Sequence, residues 1–289
     1  MVAISGSASA RWPHEPEGWT ELLDESWDDL PPQFGGKNPN WPATTSPHND
    51  CRDPTIVENP RPDGSGPGDP APGVSPSKVL QVCYPENFVS GAAPFIFETS
   101  WPPTLTRLYV GWEFMYSTKW QGSSATDKML FVTFGDGSNV TYNLVPYLMG
   151  PDNPDGSSDE RLYIYFVPNS PASAQVNNCH LAESFGDCPG TINLYGHRRQ
   201  VTRGQWHRME MLVEMSTSST SRDGVIKVWL DGAVAVDYTN VNFYRNPSAN
   251  DDKIFRFQLS PVWGGQGAKT ERTQWAWYDH LHISREPSP

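Results

Sequence analysis

The chain has 289 residues, 37% of them hydrophobic and 19% charged, which is enough apolar material for one large domain or two smaller ones. Its 28 Pro and 24 Gly exceed the usual combined share of about 12%, which argues against a helical bundle and for short strands joined by turns. The formal charge of −12 makes nucleic acid and anionic membranes poor partners, because phosphate binding needs a cationic surface, and no apolar run reaches the ~18 residues of a membrane span.

Met1 to Ala10 are small and polar and include Ala8-Ser9-Ala10, the small-x-small form of a signal-peptidase site. Residues 1–10 read as the remnant of a trimmed leader, or else as an ordinary disordered N-terminus, with 11–289 as a single domain. Residues 11–105 read as irregular structure with a few strands. Gly18 to Asp28 is the best helical candidate. The stretch from Pro60 to Pro76 contains Arg61-Pro62-Asp63-Gly64 and Gly66-Pro67-Gly68, which are turns by their chemistry, and it reads as a surface loop.

The four cysteines are Cys51, Cys83, Cys179 and Cys188. No Cys-x-x-Cys occurs, so neither a zinc knuckle nor a redox motif is indicated. Cys179 and Cys188 flank a short loop, and their pairing is the local solution. Cys51 would then pair with Cys83 across the Pro/Gly-rich stretch. Two disulfides would put the protein outside the cytoplasm. The alternative is four free buried thiols.

From Arg107 onward alternation is strong. Leu108, Val110, Trp112, Phe114 and Tyr116 fall on one face, with Tyr109, Glu113 and Ser117 on the other. Lys128 to Phe134, Val140 to Leu148 and Arg161 to Val167 are further apolar runs. Met209, Met211, Val213 and Met215 oppose Arg208, Glu210 and Glu214. Ile226, Val228 and Leu230 oppose Lys227 and Trp229, and the run ends in Asp231-Gly232, a hairpin signal. Phe255, Phe257 and Leu259 are expected inward, with Arg256 and Gln258 outward. In the last run Trp275, Trp277, Leu281 and Ile283 are expected inward, and Gln274, Tyr278, His280 and His282 outward. Many such strands imply an all-β, antiparallel sandwich or jelly roll.

The order of Trp12-Pro13-His14-Glu15-Pro16, Gly111-Trp112-Glu113, the lysine-led strand from Lys128, Thr202-Arg203-Gly204-Gln205-Trp206-His207-Arg208, Val228-Trp229-Leu230-Asp231-Gly232, Pro261-Val262-Trp263-Gly264-Gly265 and Tyr278-Asp279-His280-Leu281-His282-Ile283-Ser284 resembles the concanavalin A-like lectin/glucanase superfamily. Within it the chain is most similar to secreted bacterial jelly-roll polysaccharide lyases of the heparin-lyase-like and glucuronan- or alginate-lyase-like groups. The resemblance covers about residues 100–285 well. It implies a concanavalin A-like jelly roll with a loop-rich N-terminal segment. It is less specific for activity, because the superfamily mixes lyases, hydrolases and binding domains. The Glu-x-Asp-x-x-Glu of the jelly-roll glucanases is absent, as are the Arg-Glu-Arg and Gln-Ile-His strings of the alginate-lyase-like family. Glu210 and Glu214 share a strand face but lie about 13 Å apart, too far for the roughly 5.5 Å of retaining or 6.5–9.5 Å of inverting hydrolysis.

β-Elimination of a uronate needs a group to neutralise the carboxylate, a base for the C5 proton and an acid for the leaving oxygen. Tyr278, His280 and Lys227 on the outward faces are the candidate catalytic residues. Arg208 and Arg256 are candidate carboxylate partners, with Glu210 on the same face as Arg208. The alternative is a solvated polar face. His197-Arg198-Arg199 is the most basic spot of an acidic chain, so His197 and Arg199 are candidates for steering an anionic glycan. Trp229, on an otherwise polar face, is a candidate platform for stacking a sugar; Tyr109 and Trp120 are weaker ones. His207 is expected to be a satisfied inward histidine. Asp279 is expected inward, where a carboxylate must be paired or bind a metal. The resemblance implies a structural Ca²⁺ there, held with N-terminal oxygens for which Glu15 and Asp28 are the candidates; the alternative is a hydrogen-bonded core Asp. No organic cofactor is indicated, because no nucleotide fingerprint occurs. The expected partner is a polysaccharide, an acidic one on the lyase reading. The rival readings are a carbohydrate-binding domain without catalysis and a self-assembling extracellular structural protein.

Overall fold

The computed structural model describes residues 12–29, 43–44, 51–58, 60–64, 78–89, 91–122, 127–138, 140–149, 161–168, 181, 192–244, 252–264 and 269–287. Cys179 and Cys188 lie outside the described residues, as do residues 1–10 and most of the loop expected at 60–76.

The described chain is built of strands: β1 (Thr20–Glu25), β2 (Ala43–Thr44), β3 (Thr55–Val57), β4 (Val79–Tyr84), β5 (Phe97–Leu105), β6 (Arg107–Tyr116), β7 (Asp127–Gly135) and β8 (Val140–Met149) come first. They are followed by β9 (Arg161–Pro168), β10 (Ile192–Gln200), β11 (His207–Glu214), β12 (Gly224–Leu230), β13 (Ala233–Val241), β14 (Lys253–Trp263) and β15 (Gln274–Arg285). No α-helix occurs among the described residues, so none there is long and apolar enough to cross a membrane. The segment read as the best helical candidate, Gly18 to Asp28, instead contains strand β1, paired antiparallel with the C-terminal half of β15. Tertiary pairing overrides a weak local helical preference.

The strands form two antiparallel sheets. An eight-stranded sheet runs β13-β12-β11-β6-β15-β4-β3, with β1 also on β15. A seven-stranded sheet runs β10-β9-β8-β7-β14-β5-β2. This is a β-jelly-roll sandwich, as expected. Its core is one cluster fed by both inner faces, including Val110, Trp112, Met209, Met211, Ile226 and Val228 from the first sheet and Leu130, Val132, Leu144, Ile164, Phe257 and Leu259 from the second. Alternation read in the sequence assigns most of these correctly, because period-2 strands bury one face. Asp231 and Gly232 both take positive φ (52° and 75°), the geometry of the tight hairpin turn their sequence signals.

Alternation fails where a strand carries a bulge. In β15 the register slips between Asp279 and His282 against β6, and His280 takes φ 45°. The extra residue inverts the faces. Before the bulge Ala276 and Tyr278 enter the core, while Trp277 joins Val79 and Met115 in a cluster on the outer side. After it, Leu281 and Ile283 are inward, as expected. A second slip, between Ile254 and Arg256 of β14, puts Ile254 in the core cluster and leaves Phe255, expected there, outside it. Cys51 and Cys83 form a disulfide with a Cα–Cα distance of 5.6 Å, tying the chain before β3 to β4.

Candidate functional site

The sequence-derived candidates divide between two faces on opposite sides of the sandwich. Arg208, Glu210, Lys227, Trp229, Asp279 and His280 belong to the eight-stranded sheet. Arg256, His197 and Arg199 belong to strands β14 and β10 of the seven-stranded sheet. Tyr278 is on neither outer face; it is fully enclosed in the core. Burial and the charge of Asp127 push its phenol well above the usual range, so it is held neutral and out of reach of a glycan.

One row of the outer face of the eight-stranded sheet is covered. Register aligns Trp229, Glu210, Gly111, His282 and Asp24 across five strands. The segment Trp12–Glu15 lies over this row. Trp12 fills the space left by Gly111, where a Cβ would meet its ring at 2.5 Å. His14 stacks on Trp229 with centroids 4.4 Å apart, so the indole expected to be an open sugar platform is buried. Glu210 is fully buried. It accepts from the Tyr109 hydroxyl at 2.6 Å and from the His14 backbone N–H at 3.1 Å. The His14 ring nitrogen Nδ1 lies 3.0 Å and Arg208 Nε 3.4 Å from its other oxygen. Tyr109 is pushed strongly upward by burial and by Glu210. Lys227 is paired with Asp237 at 2.9 Å. His282 Nε2 is 2.9 Å from Glu15 and Nδ1 3.5 Å from Asp24. His207 is a satisfied histidine, as expected: Nδ1 lies 2.8 Å from Asp231 and Nε2 accepts the Thr202 N–H. This row is a polar seam that fastens the N-terminal segment.

Asp279 is fully buried, and the charged groups it meets among the described residues are His280 and Glu113. His280 Nδ1 lies 2.7 Å from Asp279 and 4.0 Å from Glu113. Burial raises the Asp279 carboxyl, against the pull of His280. Glu15 is engaged with His282, and the Asp28 backbone carbonyl accepts from Lys78. Two carboxylates and an imidazole within 4.8 Å of one another do not make the oxygen cage that Ca²⁺ prefers.

The outer face of the seven-stranded sheet is different. Lys128, half-buried, is the second residue of β7. Register pairs it with Val262 on β14 and Tyr147 on β8, Tyr147 with Tyr163 on β9, and Tyr163 with Tyr195 on β10. A lysine and three tyrosine positions thus run in one row over four adjacent strands. Arg161 is two residues from Tyr163 along β9, and His197 and Arg199 follow Tyr195 along β10. Burial lowers Lys128, partly offset by the buried Asp127 beside it. Asp127 itself accepts from Gly264 N–H and Trp120 Nε1, which ties the loops at this end of the sheet to β7. Further along the face, Arg256 Nε donates to Thr133 Oγ1 at 3.3 Å, Thr133 Oγ1 donates to Asn143 at 2.8 Å, and Gln258 donates to Glu98.

The lysine–tyrosine row was not among the sequence candidates. A local signal exists in the alternation of Leu162-Tyr163-Ile164-Tyr165 and in Tyr147 within an apolar run. Only the register, which is non-local, lines these up with Lys128.

The fold is shared with solved structures of polyuronate lyases, among them the following three. The endo-β-1,4-glucuronan lyase from the fungus Trichoderma reesei is 14% identical with a TM-score of 0.52, covering 92% of this chain and 96% of its own. The alginate lyase of Aplysia kurodai is 15% identical with a TM-score of 0.52, covering 74% and 85%. The alginate lyase of a Chlorella virus is 18% identical with a TM-score of 0.52, covering 74% and 88%. No curated protein sequence matches the chain. The family described as polysaccharide lyase matches residues 107–282, which runs from the start of β6 into β15 and takes in well over half of the chain, and this protein belongs to that family.

Proposed function

We propose that this polysaccharide lyase cleaves a uronate-containing glycan by β-elimination, and that it does so outside the cytoplasm on the outer face of the seven-stranded sheet. The observation that carries the proposal is the row Lys128–Tyr147–Tyr163–Tyr195, which aligns a lysine with three tyrosine positions on the sheet opposite the one that Trp12–Glu15 packs against. The three similar structures, named as glucuronan and alginate lyases, support a polyuronate as substrate. The Cys51–Cys83 disulfide supports an oxidising compartment.

In this reading the Lys128 ammonium pairs with the substrate carboxylate and stabilises the negative charge that develops when C5 loses its proton. Tyr147, next to it in the row, takes that proton as the phenolate; an ammonium beside a phenol favours that form. The C5 electron pair forms the C4=C5 double bond, the C4–O bond breaks, and the departing oxygen takes a proton back from the tyrosine. Arg161 on β9 and His197 and Arg199 on β10 occupy positions at the β9–β10 side, where an anionic chain would enter.

The test is the ultraviolet absorbance of unsaturated uronate produced from glucuronan, alginate, heparin and pectate, with and without chelator. A rise on one of them that is lost in Lys128→Ala supports the proposal. A rise that persists in Lys128→Ala and in Tyr147→Phe overturns the assigned row.

A further inference from the structure

We propose that Phe131, Glu98, Arg256 and Gln258 form a separate subsite on the same face, which takes a pyranose ring of the glycan by its C–H face and its hydroxyls and not by a carboxylate. The proposal rests on the reading of this face as the glycan-binding one.

Phe131 is a half-buried aromatic ring on a mostly polar face. Its direct register partner across β14 is Gln258, and the next outward pair is Thr133 with Arg256. Gln258 and Arg256 are in turn paired with Glu98 and Ser100 on β5. A half-buried ring flanked by amide, guanidinium and carboxylate groups is the chemistry that accepts a sugar: the ring takes the apolar side of the pyranose, and the polar groups take its edge.

The polar groups are held in place before any ligand arrives. Thr133 is fully buried and fixes Arg256 Nε from below, while its own hydroxyl is oriented by Asn143. Glu98 lies 3.7 Å from Arg256 NH1 and accepts from Gln258. Little side-chain freedom remains to be lost on binding.

The charge decides what the subsite takes. Arg256 and Glu98 offset one another, both about three-quarters buried. A carboxylate arriving at Arg256 would meet Glu98 as well. Vicinal hydroxyls would not, since each hydroxyl can donate to Glu98 and accept from Arg256 or Gln258.

The distance separates this subsite from the reacting sugar. Phe131 and Thr133 lie three and five residues beyond Lys128 on β7, about 10 and 16 Å at strand rise. The carboxylate of a uronate hangs from the same carbon that loses its proton, so its partner must sit beside the base. Arg256 therefore serves another sugar of the chain, in place of the carboxylate partnership expected for it from the sequence.

The experiment uses the full chain, with Arg256→Lys and Phe131→Leu as variants whose melting temperatures are checked first. Rates are measured on purified polyuronate oligomers of defined length. Loss of one stacking or hydroxyl contact should cut kcat/KM for an octamer roughly tenfold, about 1.4 kcal/mol. That loss should appear in KM and exceed the loss on the shortest cleaved oligomer at least fivefold. It should also persist at high salt, because it is not an ion pair with the ligand. Equal losses at all lengths, no loss, or a loss that vanishes with salt would overturn the subsite. If the wild type cleaves none of these oligomers, the lyase reading fails by itself, and calorimetric binding of the octamer decides: an affinity unchanged in both variants, or no binding by the wild type, overturns the subsite, and a tenfold weakening in both supports it.

Discussion

The imidazole of His14 lies flat on the indole of Trp229, with 12° between the ring planes, and Glu210 receives both a backbone N–H and a ring nitrogen from the same histidine. One residue thus closes a hydrophobic platform and supplies two partners to a buried carboxylate. His14→Ala removes the ring from both. Glu210 keeps Tyr109 and Arg208, so the cost should be that of one lost partner at a buried acid, about 1–3 kcal/mol. Chemical denaturation gives the number. Tryptophan fluorescence should shift to the red as Trp229 meets water. A variant as stable as the wild type, with unshifted emission, would show that the segment is not fastened here.

The same seam sets a pH dependence. Burial alone would lower His282, but hydrogen bonds to Asp24 and Glu15 outweigh it and raise the imidazole above its ordinary value. Arg208, Glu210, His14 and Tyr109 are further charged or titratable groups along this seam, and Glu21 also approaches His282. A raised folded-state value means that protonated His282 stabilises the fold. That contribution is complete below the unfolded value of about 6.5 and is lost as pH rises through the higher folded one. Glu15→Gln should therefore lower the melting temperature more at pH 5.5 than at pH 9. An equal effect at both pH values would dissociate the pair from titration.

How far the sequence leads can be seen in β15 alone. Its existence, its pairing sense and the inward faces of Leu281 and Ile283 are legible from alternation. Tyr278 and Trp277 are not, because a single extra residue at His280 exchanges the faces before it, and no local residue type announces a bulge there. The division of the candidate residues between two faces has a related cause. Alternation says which residues share a face of one strand, while sheet membership and register depend on partners far along the chain. Arg208 and Arg256 look equivalent in sequence and end on different sheets. Trp229 looks exposed because its strand face is polar, and only the docking of His14, more than two hundred residues earlier, buries it.

The disulfide predicts a plain outcome. Cys51 and Cys83 are 32 residues apart, and a loop of that size stabilises by about 3–4 kcal/mol on the loop-entropy account. Cys83 is buried within β4, so the pair is best removed as Cys51→Ser with Cys83→Ala. Denaturant unfolding should show a loss of that order. A loss below about 1 kcal/mol would mean that the segment between them is already restrained in the unfolded chain.

The sharpest test contrasts two tyrosine hydroxyls. Tyr278 was the outward candidate by alternation, yet it is sealed among core residues and kept neutral by burial. Tyr147 occupies the register position beside Lys128. If elimination takes place on the seven-stranded sheet, Tyr278→Phe should keep wild-type kcat, and its effect should be confined to stability, within about 1.5 kcal/mol for one buried hydroxyl. Tyr147→Phe should lose activity by about 10²-fold or more, the usual worth of a general acid–base group, with melting little changed. Lys128→Arg should retain a fraction of the rate that Lys128→Ala loses, since the charge is kept and its geometry is not. Rates of unsaturated product formation for the four variants, read beside their melting temperatures, separate the faces. A Tyr278→Phe variant that folds and is inactive while Tyr147→Phe is active would move the chemistry off the seven-stranded sheet.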